Sequence, residues 1–121
     1  MGAFINHTNH PSAHWEESQL CAAKTYGEIR DIPFPAIPAM WGEEEVQNLA
    51  AENARSIIKQ SPAAVLVQGE FTYTVAVVNL LKAAGVPVLC ACSERHVRER
   101  VNEAGEIVRE SRFAFCRFRA Y

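Results

Sequence analysis

Short apolar runs alternate along the chain with longer stretches in which apolar residues recur every three or four positions. The first run, Ala3-Phe4-Ile5 within Gly2 to Thr8, fits a strand buried on both faces. It gives way to the polar stretch Asn6 to Ser12, where Pro11 and Ser12 mark a loop. A helix is predicted from about Trp15 to Tyr26, with Glu16 and Glu17 in its first turn and Gly27 just past its end. Ile29-Arg30-Asp31-Ile32, inside Glu28 to Phe34, reads as a short second strand. Pro33, Pro35 and Pro38 then exclude helix and central strand, because proline removes a backbone donor and fixes φ.

From Glu43 to Gln60 the apolar positions Val46, Leu49, Ala50, Ala54, Ile57 and Ile58 form one helical stripe. The glutamates 43–45 sit where the helix dipole favours negative charge. Ala63 to Val67 is the clearest buried strand. It runs through Gln68-Gly69-Glu70-Phe71-Thr72 into a helix, Tyr73 to Ala84, that Gly85 stops. Val86 to Cys92 is the fourth strand, expected to end at a Ser93-Glu94-Arg95 turn. Strands alternating with helices imply right-handed crossovers and a mainly parallel sheet with helices on both faces. The expected strand order is 2-1-3-4. Val97, Val101, Ala104 and Val108 have helical spacing, but Asn102 to Gly105 resembles a turn and Arg112 to Arg119 alternates like a strand. A C-terminal β-hairpin is therefore expected. No repeat or linker divides residues 1–121, so one α/β domain is predicted.

Composition changes this picture little. Hydrophobic residues make up 49% and charged residues 21%, ordinary values for a globular domain. The longest apolar run is broken by Gly85 and Pro87 and is too short to span a bilayer. No basic leader precedes Ala3, so no targeting peptide is expected and the cytoplasm is the expected compartment. Cys21, Cys90, Cys92 and Cys116 form no C-x-x-C pair and are expected to be structural thiols. The net charge of −2 gives no pull toward long nucleic acid. Its distribution is uneven: five Lys or Arg face nine Asp or Glu up to residue 92, then seven Arg face five Glu. Arginine suits bidentate contact with phosphate, although pairing with glutamates across the hairpin explains most of these residues.

Ligands of open parallel sheets bind beyond the carboxyl ends of the strands, where strand order reverses. Asn6 to His10, Gln68 to Thr72 and Ser93 to Arg95 should converge there. Gly69 would let a ligand approach the backbone, and the helix start behind it is a ready anion site to which Thr72 adds a hydroxyl. A tight turn with a capping threonine accounts for the same residues. Glu70 opposes a simple phosphate site. Pairing with Arg95, accepting a ribose or base hydrogen bond, and acting as general base are all open to it. His7 follows Asn6 at the strand end, where an imidazole can move protons or simply bond to backbone. His7, His10 and His14 lack a recognised metal spacing, and neither metal nor cofactor is expected. Ser93 lies in no hydrolase elbow, which leaves Arg95 as the better candidate, an anion clamp. Trp15 and Trp41 could stack on a base, but each opens a helix beside a loop, where local packing explains them.

Asn6-His7, the 68–72 turn, Ser93-Glu94-Arg95 and the ending Arg117-Phe118-Arg119-Ala120-Tyr121 together resemble small CRISPR-associated accessory proteins of type III systems. The resemblance implies a Rossmann-like fold, antiviral defence, and binding of cyclic oligoadenylate, with cleavage by a metal-independent ring nuclease. A homodimer would match the ligand's rotational symmetry. Under that implication His7 and Glu70 are the catalytic candidates, Gly69 and Arg95 hold phosphate, and Asn6, Asn9, Gln68, Thr72 and Ser93 complete the ligand site. A non-cleaving sensor and a protein-interaction module using the arginine-rich tail are the rival readings.

Overall fold

The computed structural model describes residues 2–121. Five strands and three helices follow one another as β1 (Phe4–Thr8), α1 (Glu17–Lys24), β2 (Ile29–Asp31), α2 (Glu43–Lys59), β3 (Ala64–Gln68), α3 (Phe71–Ala83), β4 (Val88–Val101) and β5 (Ile107–Ala120). A single 3-10 turn, Ser12–His14, precedes α1. The strands form one sheet in the order β2-β1-β3-β4-β5. The pairs β1–β2, β1–β3 and β3–β4 are parallel, whereas β4–β5 is antiparallel. The sheet is thus mixed, and the expected parallel order holds for its first four strands.

Alternation along the central strands sends side chains to two separate cores. Ile5, Val65, Val67 and Val88 face α2 and α3, where Val46, Ala50, Ala54 and Ile57 meet Tyr73, Val77 and Leu81. Phe4, Ala64, Leu66 and Leu89 face the other way, against Ala23 of α1 and Phe118 of β5. The predicted stripe on the 43–60 helix is the buried one, and Glu45 accepts the Gly42 N–H at 2.8 Å to close its first turn. Among the described residues no helix is long and apolar enough to cross a membrane.

The main departure from expectation is the length of β4. Ser93-Glu94-Arg95 is not a turn: the strand continues through it to Val101 and pairs with β5 all the way to Ile107, with an irregularity between Cys92 and Ser93. The turn lies at Asn102 to Glu106, where Asn102 Oδ1 accepts the N–H groups of Ala104 and Glu106 and Gly105 takes φ of 80°. β3 pairs with β4 only at Val88 and Leu89. Beyond Cys92 the hairpin therefore leaves the sheet as a two-stranded arm, and the helical alternative for Val97 to Val108 is not realised.

Candidate functional site

At the carboxyl edge of the sheet, on the α1 side, lies a cleft of about 440 Å³. Each of the three predicted segments contributes to it: Thr8 and His10 follow β1, Gln68 ends β3, and Ser93 lies on β4. Its walls are His14, Trp15 and Glu16 from the approach to α1, and Phe113 and Phe115 from β5. This is the side of β1 where strand order reverses, since β2 lies to one side and β3 and β4 to the other. The lining includes no lysine or arginine and one carboxylate, Glu16, so the anion site expected from the sequence is instead a hydrogen-bonding pocket with aromatic walls.

Several predicted residues do not reach this cleft, and in each case a local bond explains why. His7 points the opposite way, into the α2–α3 core, and is 1% exposed. Its Nδ1 lies 2.8 Å from the Ile32 carbonyl, which can only accept, so Nδ1 carries the proton. Nε2 is then the acceptor for the Tyr73 hydroxyl at 2.7 Å, and that hydroxyl in turn accepts from Asn53 Nδ2 at 3.0 Å. Burial pushes the His7 imidazole below its usual value, with the Ile32 bond opposing more weakly. Both ring nitrogens of His7 and the Tyr73 hydroxyl are thereby occupied.

Glu70 fills the anion site that the sequence suggested for a ligand. It is the N-cap of α3, and its carboxylate accepts the N–H groups of Thr72 and Tyr73 at 2.9 Å and the Thr72 hydroxyl. The Thr72 hydroxyl bond and then those backbone bonds hold the carboxyl below its ordinary range. Gly69 is required by a neighbour: a Cβ there would run into the Phe34 ring, which covers the turn. Asn6 is buried and donates to the His10 carbonyl and to Asp31 Oδ1, both at 2.9 Å, while accepting from Thr8 Oγ1. It ties down the loop after β1. Asn9 is exposed and borders a smaller hollow with Pro11, Asp31 and Phe34.

Gln68 does reach the cleft, and it also completes the sheet. Its Oε1 accepts the Ala91 N–H at 2.8 Å, continuing the β3–β4 ladder past its last backbone pair. Arg95 lies one step beyond Ser93 on the same face of β4, opposite Phe113. Its Nε donates to Ser111 Oγ at 3.0 Å, and the side chain is exposed at the root of the arm. Of the expected glutamate–arginine pairs, Arg100 with Glu110 and Arg109 with Glu99 form. No group of three metal-ligating side chains occurs among the described residues. All four cysteines are free: Cys21 and Cys116 are exposed, Cys90 and Cys92 half-buried, so none is a fully buried core thiol.

Sequence reasoning missed the roles of His14, Phe113 and Phe115 in the cleft wall. The alternation of Arg112 to Arg119 was the available signal, since it puts Phe113 and Phe115 on one face. For Trp15, the sequence favours packing over stacking on a base. It does pack, edge-on against Phe4 and with Nε1 donating to the His10 carbonyl at 3.0 Å, but it also lines the cleft.

No curated protein and no solved structure matches the chain. Residues 2–119, nearly all of the chain, fit the sequence model of the Uncharacterized protein MJ1673 family, and the protein belongs to that family.

Proposed function

We propose that this protein binds a cyclic oligoadenylate in the strand-edge cleft and opens the ring without a metal, as a Rossmann-like accessory protein of CRISPR defence acting in the cytoplasm. The observation that carries the reading is the meeting of Thr8, His10, Gln68 and Ser93 with Trp15, Phe113 and Phe115 around one cavity. Flat rings beside hydrogen-bonding side chains suit a nucleobase and its ribose, and about 440 Å³ is within the range of small-ligand pockets. Phosphate would lie at the rim, where Arg95 follows Ser93. A twofold homodimer would present two such clefts to one symmetric ring.

Ring opening needs an attacking 2′-hydroxyl, in line with the bond it displaces. The O2′–P bond forms and the P–O5′ bond breaks, leaving a 2′,3′-cyclic phosphate and a 5′-hydroxyl. One group takes the 2′ proton and another returns a proton to O5′. His10 and His14 are the two imidazoles lining the cleft, and they replace His7 and Glu70 as candidates for these transfers.

The test is incubation with labelled cyclic oligoadenylates of each ring size, with and without EDTA. Cleavage to products ending in 2′,3′-cyclic phosphate, unaffected by chelator, is expected. His10→Ala and His14→Ala should each slow it by about 10²–10⁴-fold while the fold is kept. Binding without cleavage would make the protein a sensor, and failure to bind any ring size would end the reading.

A further inference from the structure

The arm formed by Ser93–Val101 and Ile107–Phe115 has two unlike faces. Register pairs Arg95 with Phe113, Val97 with Ser111, Glu99 with Arg109 and Val101 with Ile107, so these residues share one face and continue the cleft wall of Ser93 and Phe115. Four of the protein's exposed large apolar side chains gather there: Val97, Val101, Ile107 and Phe113 are 48%, 67%, 71% and 67% exposed. The reverse face holds Glu94, His96, Arg98, Arg100, Glu110 and Arg112. Among the described residues nothing covers this apolar face. A two-stranded ribbon standing alone in water is marginally stable.

We propose that the apolar face of the arm packs against the same face of a second copy of this chain about a twofold axis. Three observations select that occupant. The exposed apolar area is on the order of 400 Å² per copy, the size of the largest patch on an ordinary monomer and about half of one partner's share of a stable contact, with ribbon backbone and polar neighbours to supply the rest. Midway along the face an acid and a base lie across from each other, Glu99 and Arg109, 3.7 Å apart; the other charge, Arg95, sits at the root of the arm, where its Nε is bonded to Ser111. A twofold contact lets each copy's Glu99 meet its partner's Arg109 as well, so the charges are self-complementary. An arginine-rich ligand or a polyanion would each leave one of the two unmatched. The arm also begins at the cleft, so pairing the arms brings two clefts to one side of the dimer.

The inference names the surface of the homodimer proposed above, yet it does not require a nucleotide. Sedimentation velocity on the full chain without ligand should show a dimer. Val101→Glu combined with Ile107→Glu should give a monomer with unchanged circular dichroism, whereas Arg98→Glu on the reverse face should stay dimeric. Glu99→Arg and Arg109→Glu should each weaken the dimer about tenfold or more by putting like charges together. Mixing those two variants should restore association as a heterodimer, because every cross-copy contact is then between opposite charges. A wild-type monomer, a dimer that survives the double glutamate variant, or a mixture that stays monomeric overturns the inference. Nucleotide binding by a monomeric variant, or a dimer that binds no nucleotide, separates this inference from the functional reading.

Discussion

His7 shows how one side chain can be chosen for the core despite standing at the end of a strand. Removing its ring would leave a cavity and strip partners from the Tyr73 hydroxyl and the Ile32 carbonyl. His7→Ala should cost about 2–4 kcal/mol in a urea titration. The bonding pattern needs the neutral ring, since a protonated Nε2 could not accept from Tyr73. The folded-state value is below the ordinary 6.5, so the unfolded chain takes up the proton first as pH falls. Stability from His7 is then complete above 6.5 and is lost as pH drops from there through the lowered folded value. A His7→Gln variant should be less stable at neutral pH and show a shallower decline on mild acidification. An equal decline in both proteins would assign the effect to another group. The sequence offered no sign of this burial: Asn6-His7 looks polar, and only the partners Tyr73 and Asn53, far along the chain, make the site tolerable. Gly69 has the same lesson, because the reason for it is Phe34 from a proline-rich loop.

Elements were more legible than their ends. The three helices and the first four strands follow from periodicity, since a buried stripe and a buried run are properties of neighbouring residues. The start of α3 was misjudged because Glu70, read as chemistry, is its cap. Three bonds hold that carboxylate to the first turn, and it is exposed and is not part of the cleft lining. Glu70→Ala should lower the melting temperature by roughly 3–6 °C and leave any nucleotide binding or cleavage unchanged. A loss of cleavage in a protein that melts normally would return Glu70 to the site. β4 ran past its expected end because charged residues alternate as readily in a solvated ribbon as in a turn. Only its partner, β5, distinguishes the two.

For the whole molecule, the order of the parallel strands and the two-sided cover of helices were readable, because alternation of strand and helix leaves few arrangements. The location of the cleft was readable too, from the rule that places ligands where strand order reverses. Its lining was not. Alternation decides which of two neighbouring residues enters a site, and a local bond can then withdraw it, as with Asn6, His7 and Glu70. The uneven charge along the sequence was visible, but it gave no hint that the basic segment is an arm with one apolar face.

The indole of Trp15 gives the molecule an optical reporter of its own. It borders the cavity, while Trp41, the other tryptophan, lies just before the Gly42 N-cap of α2 and is absent from the cavity wall. With Trp41→Phe in place, emission would come from a single indole at the pocket. A purine stacked beside it should quench that emission in a saturable way, and a titration that leaves the intensity flat would mean the ring lies elsewhere.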